Sequence, residues 1–358
     1  MRPKLPATSR LISYLEAIDS TQVYSNFGPL VRSFEERLAA RYKLPPACVT
    51  TVANATVGLS LSLAALGAKP GTLCVMPAWT FIASAHAAVS AGMVPYFVDV
   101  DPGQWALDPD EIGAIITAAP GPVGAVMVVA PFGCPIDTAA WDRFRQGSGI
   151  PVVIDAAAGF DSLTPAALPS VVSLHATKVL GVGEGGFVVS TDEALIRDIR
   201  TRANFGFRGS REAAVPATNG KLSEYHAAVG LAALDEWTQT RAEWIDVARA
   251  YQNAFSGSNE LRFQEGFGDS WITSTCVLTV PASVRGHLER ALDHCGIETR
   301  RWWGDGAHLH YATSHYPRAN LPNTVALAAS SLALPFYRGA NASDISRVTE
   351  CVLASSSA

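Results

Sequence analysis

No run of about 18 uninterrupted apolar residues occurs in the chain, so a membrane-spanning helix is not expected. The first residues, Met1 to Arg10, contain no apolar core of the kind a secretory signal carries, so no signal peptide is expected either. Cysteine is sparse and unpatterned: Cys48, Cys74, Cys134, Cys276, Cys295 and Cys351 form no C-x-x-C pair and no metal-ligand spacing. They read as reduced core thiols, which points to a cytoplasmic protein without a structural metal. Charge is scarce as well. Charged residues make up 16% of the chain and the net charge is −5, which argues against a general nucleic-acid binder. Internal repeats, charge blocks and low-complexity segments are also missing.

What is present is apolar. Hydrophobic residues account for 48% of the chain and the mean hydropathy is +0.17, values that suggest much buried sheet and a buried subunit interface. A length of 358 residues is a prior for two domains. Residues 1–24 read as an N-terminal arm and helix. Pro29 then opens an amphipathic helix in which Leu30, Phe34, Leu38 and Tyr42 recur at spacings of four. From Val49 onward, short apolar runs alternate with helical patterns. Strands are predicted at Val49 to Val52, Leu73 to Met76, Val94 to Val98, Val123 to Val129 and Pro151 to Asp155, with helices near 56–66, 81–91, 108–117 and 137–146. Runs such as V-G-A-V-M-V-V lack period-two alternation and suit strands covered on both faces. They predict an α/β fold with a mostly parallel sheet and helices on each side. Ligands of such sheets sit at the carboxyl ends of the strands.

Those ends carry the candidate chemistry. Ala55 and Thr56, in A-N-A-T-V-G-L, open a helix whose free N–H groups and Thr56 hydroxyl can hold a phosphate. Phe81, in M-P-A-W-T-F, offers an aromatic face. Asp155 ends the strand P-V-V-I-D, where a buried carboxylate requires a cationic or hydrogen-bonding partner. The stretch Val171 to Ser190 then supplies a strand ending at Leu174, a polar loop with Ser173, His175, Thr177 and Lys178, a turn through Gly181, Gly183, Gly185 and Gly186, and a second strand from Phe187. Taken alone, a lysine beside glycines is most simply a solvated loop residue. A lysine whose pKa is lowered by burial becomes a nucleophile toward carbonyls. Phosphate cradle, aromatic platform, carboxylate and lysine, in this order along an alternating fold, are the parts that hold pyridoxal phosphate.

The ordered motifs N-F-G-P-L-V-R-S-F-E, A-N-A-T-V-G-L, P-A-W-T-F, V-P-Y-F-V-D-V-D, S-L-H-A-T-K with E-G-G, N-G-K-L-S-E-Y-H-A-A-V-G-L and L-A-L-P-F-Y make the chain from Tyr24 onward resemble the DegT/DnrJ/EryC1/StrS family, the pyridoxal-phosphate aminotransferases of sugar biosynthesis. The resemblance implies a fold-type-I architecture: a large domain, residues 25–240, with a mainly parallel seven-stranded sheet sandwiched by helices, and a smaller C-terminal α/β domain, residues 241–358. It also implies a homodimer with shared active sites. Lys178 matches the lysine that binds the cofactor aldehyde, Asp155 the carboxylate facing the pyridine nitrogen, and Ser173, Ala55 and Thr56 the phosphate ligands. Phe81 matches the aromatic stacked on the ring. Asn219 matches an asparagine that reaches the phosphate of the neighbouring subunit. One departure is Ala158, which stands where similar proteins carry Gln or His near the cofactor's phenolic oxygen.

The later chain says less. Leu222 to Leu234, continued through Trp237, Trp244 and Tyr251, reads as one or two long helices with packed aromatics. A strand, a helix and the beginning of another strand follow between about 260 and 300. Arg300 to Tyr316 concentrates arginine, tryptophan and histidine. His308, His310 and His315 lack the helical i, i+4 pairing and the acidic partner of a metal site, while Arg300 or Arg301 suits a diphosphate or a donor carboxylate. The resemblance implies transfer of an amino group from an amino acid such as glutamate to a nucleotide-diphosphate-linked keto sugar, for the synthesis of deoxyamino sugars and polysaccharides. Dehydration of a sugar, amination of a cyclitol, and a non-catalytic regulator on the same fold are the rival readings.

Overall fold

The computed structural model describes residues 2–356, and the alternation of apolar runs with helical patterns becomes a three-layer stack. Helices α1 (Thr8–Thr21) and α2 (Pro29–Arg41) precede β1 (Val49–Val52). Next come α3 (Ala55–Ala65), β2 (Leu73–Pro77), α4 (Ile82–Ser90), β3 (Val94–Val98), α5 (Ile112–Thr117), β4 (Val123–Val129), α6 (Thr138–Ser148) and β5 (Val152–Asp155). With β6 (Ser170–Ser173) and β7 (Gly186–Val189) they form a seven-stranded sheet of order β1-β7-β6-β5-β4-β2-β3. Strands β2 to β6 pair in parallel, and β7 runs antiparallel to both of its neighbours. The reversal brings the start of β7 to the edge where the parallel strands end.

Burial on both faces explains the unbroken apolar runs. In β4, Val126 and Val128 join a core shared with Phe34 and Leu38 of α2 and Trp141 of α6. Ala125 and Met127, which point the other way, join Leu59 and Leu63 of α3 and Ile196 of helix α7 (Glu193–Ala203). The helix predicted over 108–117 begins only at Ile112, because the Asp108 carboxylate accepts the Asp110 N–H at 2.8 Å and holds the preceding residues in a turn.

After α7, α8 (Glu224–Asp235) and α9 (Trp237–Phe255) lead to a three-stranded antiparallel sheet, built from β8 (Arg262–Phe263), β9 (Cys276–Thr279) and β10 (Ser331–Leu334) in the order β10-β9-β8. Helices α10 (Ala282–His294), α11 (Pro322–Ser330) and α12 (Ala342–Ser356) accompany it. Trp237, Trp244 and Tyr251 are buried, as their helical spacing predicts. The strand anticipated before residue 300 reduces to a single bridge between Arg300 and Ala333. The cysteines need a correction. Cys48, Cys74 and Cys276 are core residues, but Cys134 and Cys351 are only partly covered and Cys295 is exposed at the end of α10. Among the described residues no helix is long and apolar enough to cross a membrane.

Candidate active site

The register of β7 against β1 and β6 sets Val52, Ser173 and Gly186 level with one another. All three therefore stand at the carboxyl edge of the parallel strands, where helix α3 begins. The Asn54 side chain caps α3 by accepting the Val57 N–H at 2.9 Å, which leaves the first N–H groups of the helix, those of Ala55 and Thr56, directed outward. Gly186 permits this approach. A Cβ there would lie 2.8 Å from the Ala55 nitrogen, closer than packed atoms come. Ser173 lies beside this helix start with its hydroxyl accepting the His175 N–H at 3.2 Å. Ala55 takes helical backbone angles at the first position of α3, so alanine in place of glycine leaves the N–H available.

Lys178 follows five residues after Ser173, in a loop folded back on itself: the Ala176 N–H donates to the Gly183 carbonyl at 2.8 Å and the Lys178 N–H to the His175 carbonyl at 2.9 Å. His175 Nδ1 and the Thr177 hydroxyl are 2.8 Å apart, which stiffens the same loop. A Cβ on Gly181 would meet the Ala176 carbonyl oxygen at 2.7 Å, so the turn closes only around glycine.

Asp155 is 5% exposed at the end of β5. Its Oδ2 accepts the Ser84 hydroxyl at 2.7 Å and its Oδ1 the Ala157 N–H at 3.2 Å; Ser84 Oγ is in turn 2.8 Å from Thr80 Oγ1. Burial pushes the Asp155 carboxyl above the usual range, against the two hydrogen bonds and the charge of Lys178 that favour ionisation. Burial draws the Lys178 amine down, and Asp155 opposes it. Each group thus weakens the other's desolvation penalty, and the lysine is nearer to its neutral, nucleophilic form than a solvated lysine.

These residues line one cavity of about 420 Å³, whose wall includes Ala55, Thr56, Phe81, Asp155, Ser173 and Lys178. Six of the seven sequence-predicted site residues therefore converge. The seventh, Asn219, is exposed and outside this cavity, with its Oδ1 accepting the Lys221 ammonium at 2.7 Å. Arg300 lines the cavity and Arg301 does not; Arg301 faces Glu289 and Asp305 instead. His308 is buried while His310 and His315 are exposed, and among the described residues no group of three or more His, Cys, Asp or Glu could hold a metal ion.

Sequence reasoning missed several wall residues. Trp303 and Phe132, both on the cavity wall, stack at 4.0 Å between ring centroids, and buried Trp79 backs Trp303 edge-on at 5.4 Å. Phe132 holds φ at 55°, a conformation that no sequence pattern announces. Ser84 was legible in principle, since it lies three residues after Phe81 on the same turn of α4. The hydroxyl of Thr275, on the same cavity wall as Ala158, is buried without a hydrogen-bond partner among the described residues. The donor set fits pyridoxal phosphate: exposed helix N–H groups for the phosphate, 53% exposed Phe81 for a ring face, buried Asp155 for a protonated nitrogen, and an amine of lowered pKa for the aldehyde.

The sequence profile of the DegT/DnrJ/EryC1/StrS aminotransferase family matches residues 7–353. The dTDP-4-amino-4,6-dideoxy-D-glucose transaminase of Shigella dysenteriae is 34% identical over 240 residues, 65% of this chain and 64% of that one. The erythromycin biosynthesis sensory transduction protein EryC1 of Saccharopolyspora erythraea is 31% identical over 321 residues, 86% of this chain and 85% of that one. The solved structure of DesI in the presence of its TDP-sugar product is similar with a TM-score of 0.87 at 30% identity, covering 99% of this chain and 92% of that one.

Proposed function

From the premise that the chain belongs to the DegT/DnrJ/EryC1/StrS aminotransferase family, we propose that it moves an amino group from an amino acid, glutamate in the first instance, to the keto carbon of a nucleotide-diphosphate-linked deoxysugar. The observation that carries this reading is the meeting of Lys178 and buried Asp155 in one cavity with the open start of α3. When bound, pyridoxal phosphate supplies an aldehyde that condenses with amines and a ring that accepts electrons. Lys178 would hold that aldehyde, and once freed its Nζ would carry a proton to and from the reacting carbon. Asp155 keeps a proton on the ring nitrogen. The N–H groups of Ala55 and Thr56 and the Ser173 hydroxyl anchor the phosphate, and Phe81 covers one ring face.

The sugar side of the cavity is assigned to Trp302, Trp303 and Arg300. Arg300 already pairs with exposed Glu298 at 3.1 Å, an ion pair weak enough in solvent to be exchanged for a ligand's diphosphate or carboxylate. In the same reading residues 25–240 and 241–358 are the two domains, and two subunits share each site. The relative named as a dTDP-sugar transaminase supports the substrate class. The test is mass spectrometry of products from nitrogen-labelled glutamate and a panel of nucleotide-linked 4-keto-6-deoxy and 3-keto sugars. Label in the sugar, with 2-oxoglutarate formed in step, is expected. An unlabelled dehydrated sugar would replace this reading with the dehydratase one, a labelled cyclitol with the cyclitol one, and absence of 2-oxoglutarate with the regulatory one.

A further inference from the structure

Cys295 closes the C-terminal end of α10, and Cys351 lies on α12, which packs along α10 through Leu288, Leu292, Ile345, Val348 and Val352. The two sulfur atoms are 3.1 Å apart although 56 residues separate them in sequence. Arg347, one turn before Cys351 on α12, donates from its guanidinium to the Cys295 carbonyl, so the two helices are also tied at this point by a contact that does not involve the thiols. A disulfide needs about 2.05 Å between sulfurs. Closing the remaining gap of about 1 Å lies within side-chain rotation, and the helices need not separate or slide.

The two thiols are unequal. Cys295 is exposed, and Cys351 is partly covered. Burial first, and then its hydrogen bond to Cys295, push the Cys351 thiol up to about 11, with Arg347 pulling the other way. Such a pair divides the work of thiol–disulfide exchange, in which one thiol meets the oxidant and the other resolves the intermediate.

We propose that Cys295 and Cys351 form a reversible covalent modification site, a dithiol that a low-molecular-weight disulfide converts to an intramolecular disulfide fastening α10 to α12. The Cys295 thiolate attacks one sulfur of the small disulfide. That S–S bond breaks, the first thiolate leaves and takes a proton, and a mixed disulfide remains on Cys295. Cys351 then loses its proton to solvent and attacks Cys295 Sγ, expelling the second small thiol. Two cysteine thiols are oxidised, one small disulfide is reduced to two thiols, and the electrons balance. The closed segment 295–351 contains Arg300 and Trp302, both on the wall of the cavity described above. None of these steps depends on the transaminase reading.

The experiment treats the reduced full-length protein with oxidised glutathione, blocks remaining thiols with N-ethylmaleimide after denaturation, and maps the peptides by mass spectrometry. Blockable thiols are expected to fall from six to four, with one peptide joining Cys295 to Cys351 and recovery of all six on adding dithiothreitol. Cys351→Ser is expected to stop at a glutathione adduct on Cys295, because nothing remains to resolve it. A lasting adduct on Cys295 of the unaltered protein would overturn the proposal. So would a bond between Cys295 of two chains, or six thiols left unreacted.

Discussion

At the level of single side chains, the pairing of Lys178 with Asp155 makes opposite demands on pH. Burial draws the Lys178 amine down and raises its neutral, nucleophilic fraction, and Lys178 is the lysine on the cavity wall, so it should be the one that reacts with pyridoxal phosphate. Borohydride trapping at neutral pH followed by peptide mapping is expected to place the label on Lys178; label spread equally over the five lysines would refute the assignment. Asp155→Ala is expected to leave the fold largely intact and lower turnover by roughly 10²- to 10³-fold, the size of effect seen when a preorganised electrostatic partner is removed. Ser84 donates to that carboxylate and favours its ionised form. Ser84→Ala should therefore raise the Asp155 pKa further, and the acidic limb of the kcat/KM profile should move toward higher pH, while Ser84→Thr restores it. An unmoved limb would leave Ser84 a packing residue. Asp155 was legible because a carboxylate ending an apolar run demands a partner. Ser84 was legible only through its place three residues after Phe81, and Thr275 was not, since nothing in a lone hydroxyl signals what it faces. Thr275→Val keeps the shape and removes an unpaired buried hydroxyl, so the empty protein should melt no lower while affinity for cofactor or sugar falls; unchanged affinity for both would show that the hydroxyl has no ligand.

Helices and strands were easier to read than their junctions. The predicted limits of β1, β3 and β4 coincide with those observed, because apolar strands buried on both faces end where burial ends. Junctions depend on distant residues. The N-F-G-P motif sits where Asn26 and Phe27 both take positive φ, near 63° and 56°, before Gly28 turns the chain into α2. The first N–H groups of α2 are then satisfied by Glu224, whose carboxylate accepts from Leu30 at 2.7 Å and Val31 at 3.0 Å across 194 and 193 residues. A Cβ on Gly28 would lie 2.7 Å from that carboxylate carbon, so the glycine and the glutamate are a matched pair. The sequence displays both motifs and gives no hint that they touch. Glu224→Ala leaves two helix N–H groups buried without acceptors and is expected to destabilise the protein by about 2–4 kcal/mol. Denaturant unfolding measures this, and a loss below about 0.5 kcal/mol would mean that water replaces the cap.

At the scale of the whole molecule, Asn219 poses the question of a second copy. Asn219 matches a residue that similar proteins use at the cofactor phosphate, yet here it is exposed, outside the cavity, and paired with Lys221. Its backbone is fixed by neighbours on both sides: Asn219 bridges to Asn204, and the next residue, Gly220, accepts the Ala53 N–H at 2.7 Å. A residue so placed cannot swing into its own chain's site without breaking the connection between β1 and the loop before α8. Either it serves the site of a second copy or it serves none. The exposed aromatics Phe205 and Tyr225 flank it in sequence and would gain by being covered. The two possibilities separate in a mixing experiment. Lys178→Ala and Asn219→Ala, each expected to be inactive alone, are refolded together under different affinity tags, and the doubly tagged species is assayed. If the asparagine acts across the interface, one site of the mixed dimer carries both lesions and the other carries neither, so activity returns to about half that of the unaltered dimer per molecule. If it acts within its own chain, every site keeps one lesion and the mixed dimer stays inactive. An Asn219→Ala variant that is fully active from the start would remove the residue from the site altogether.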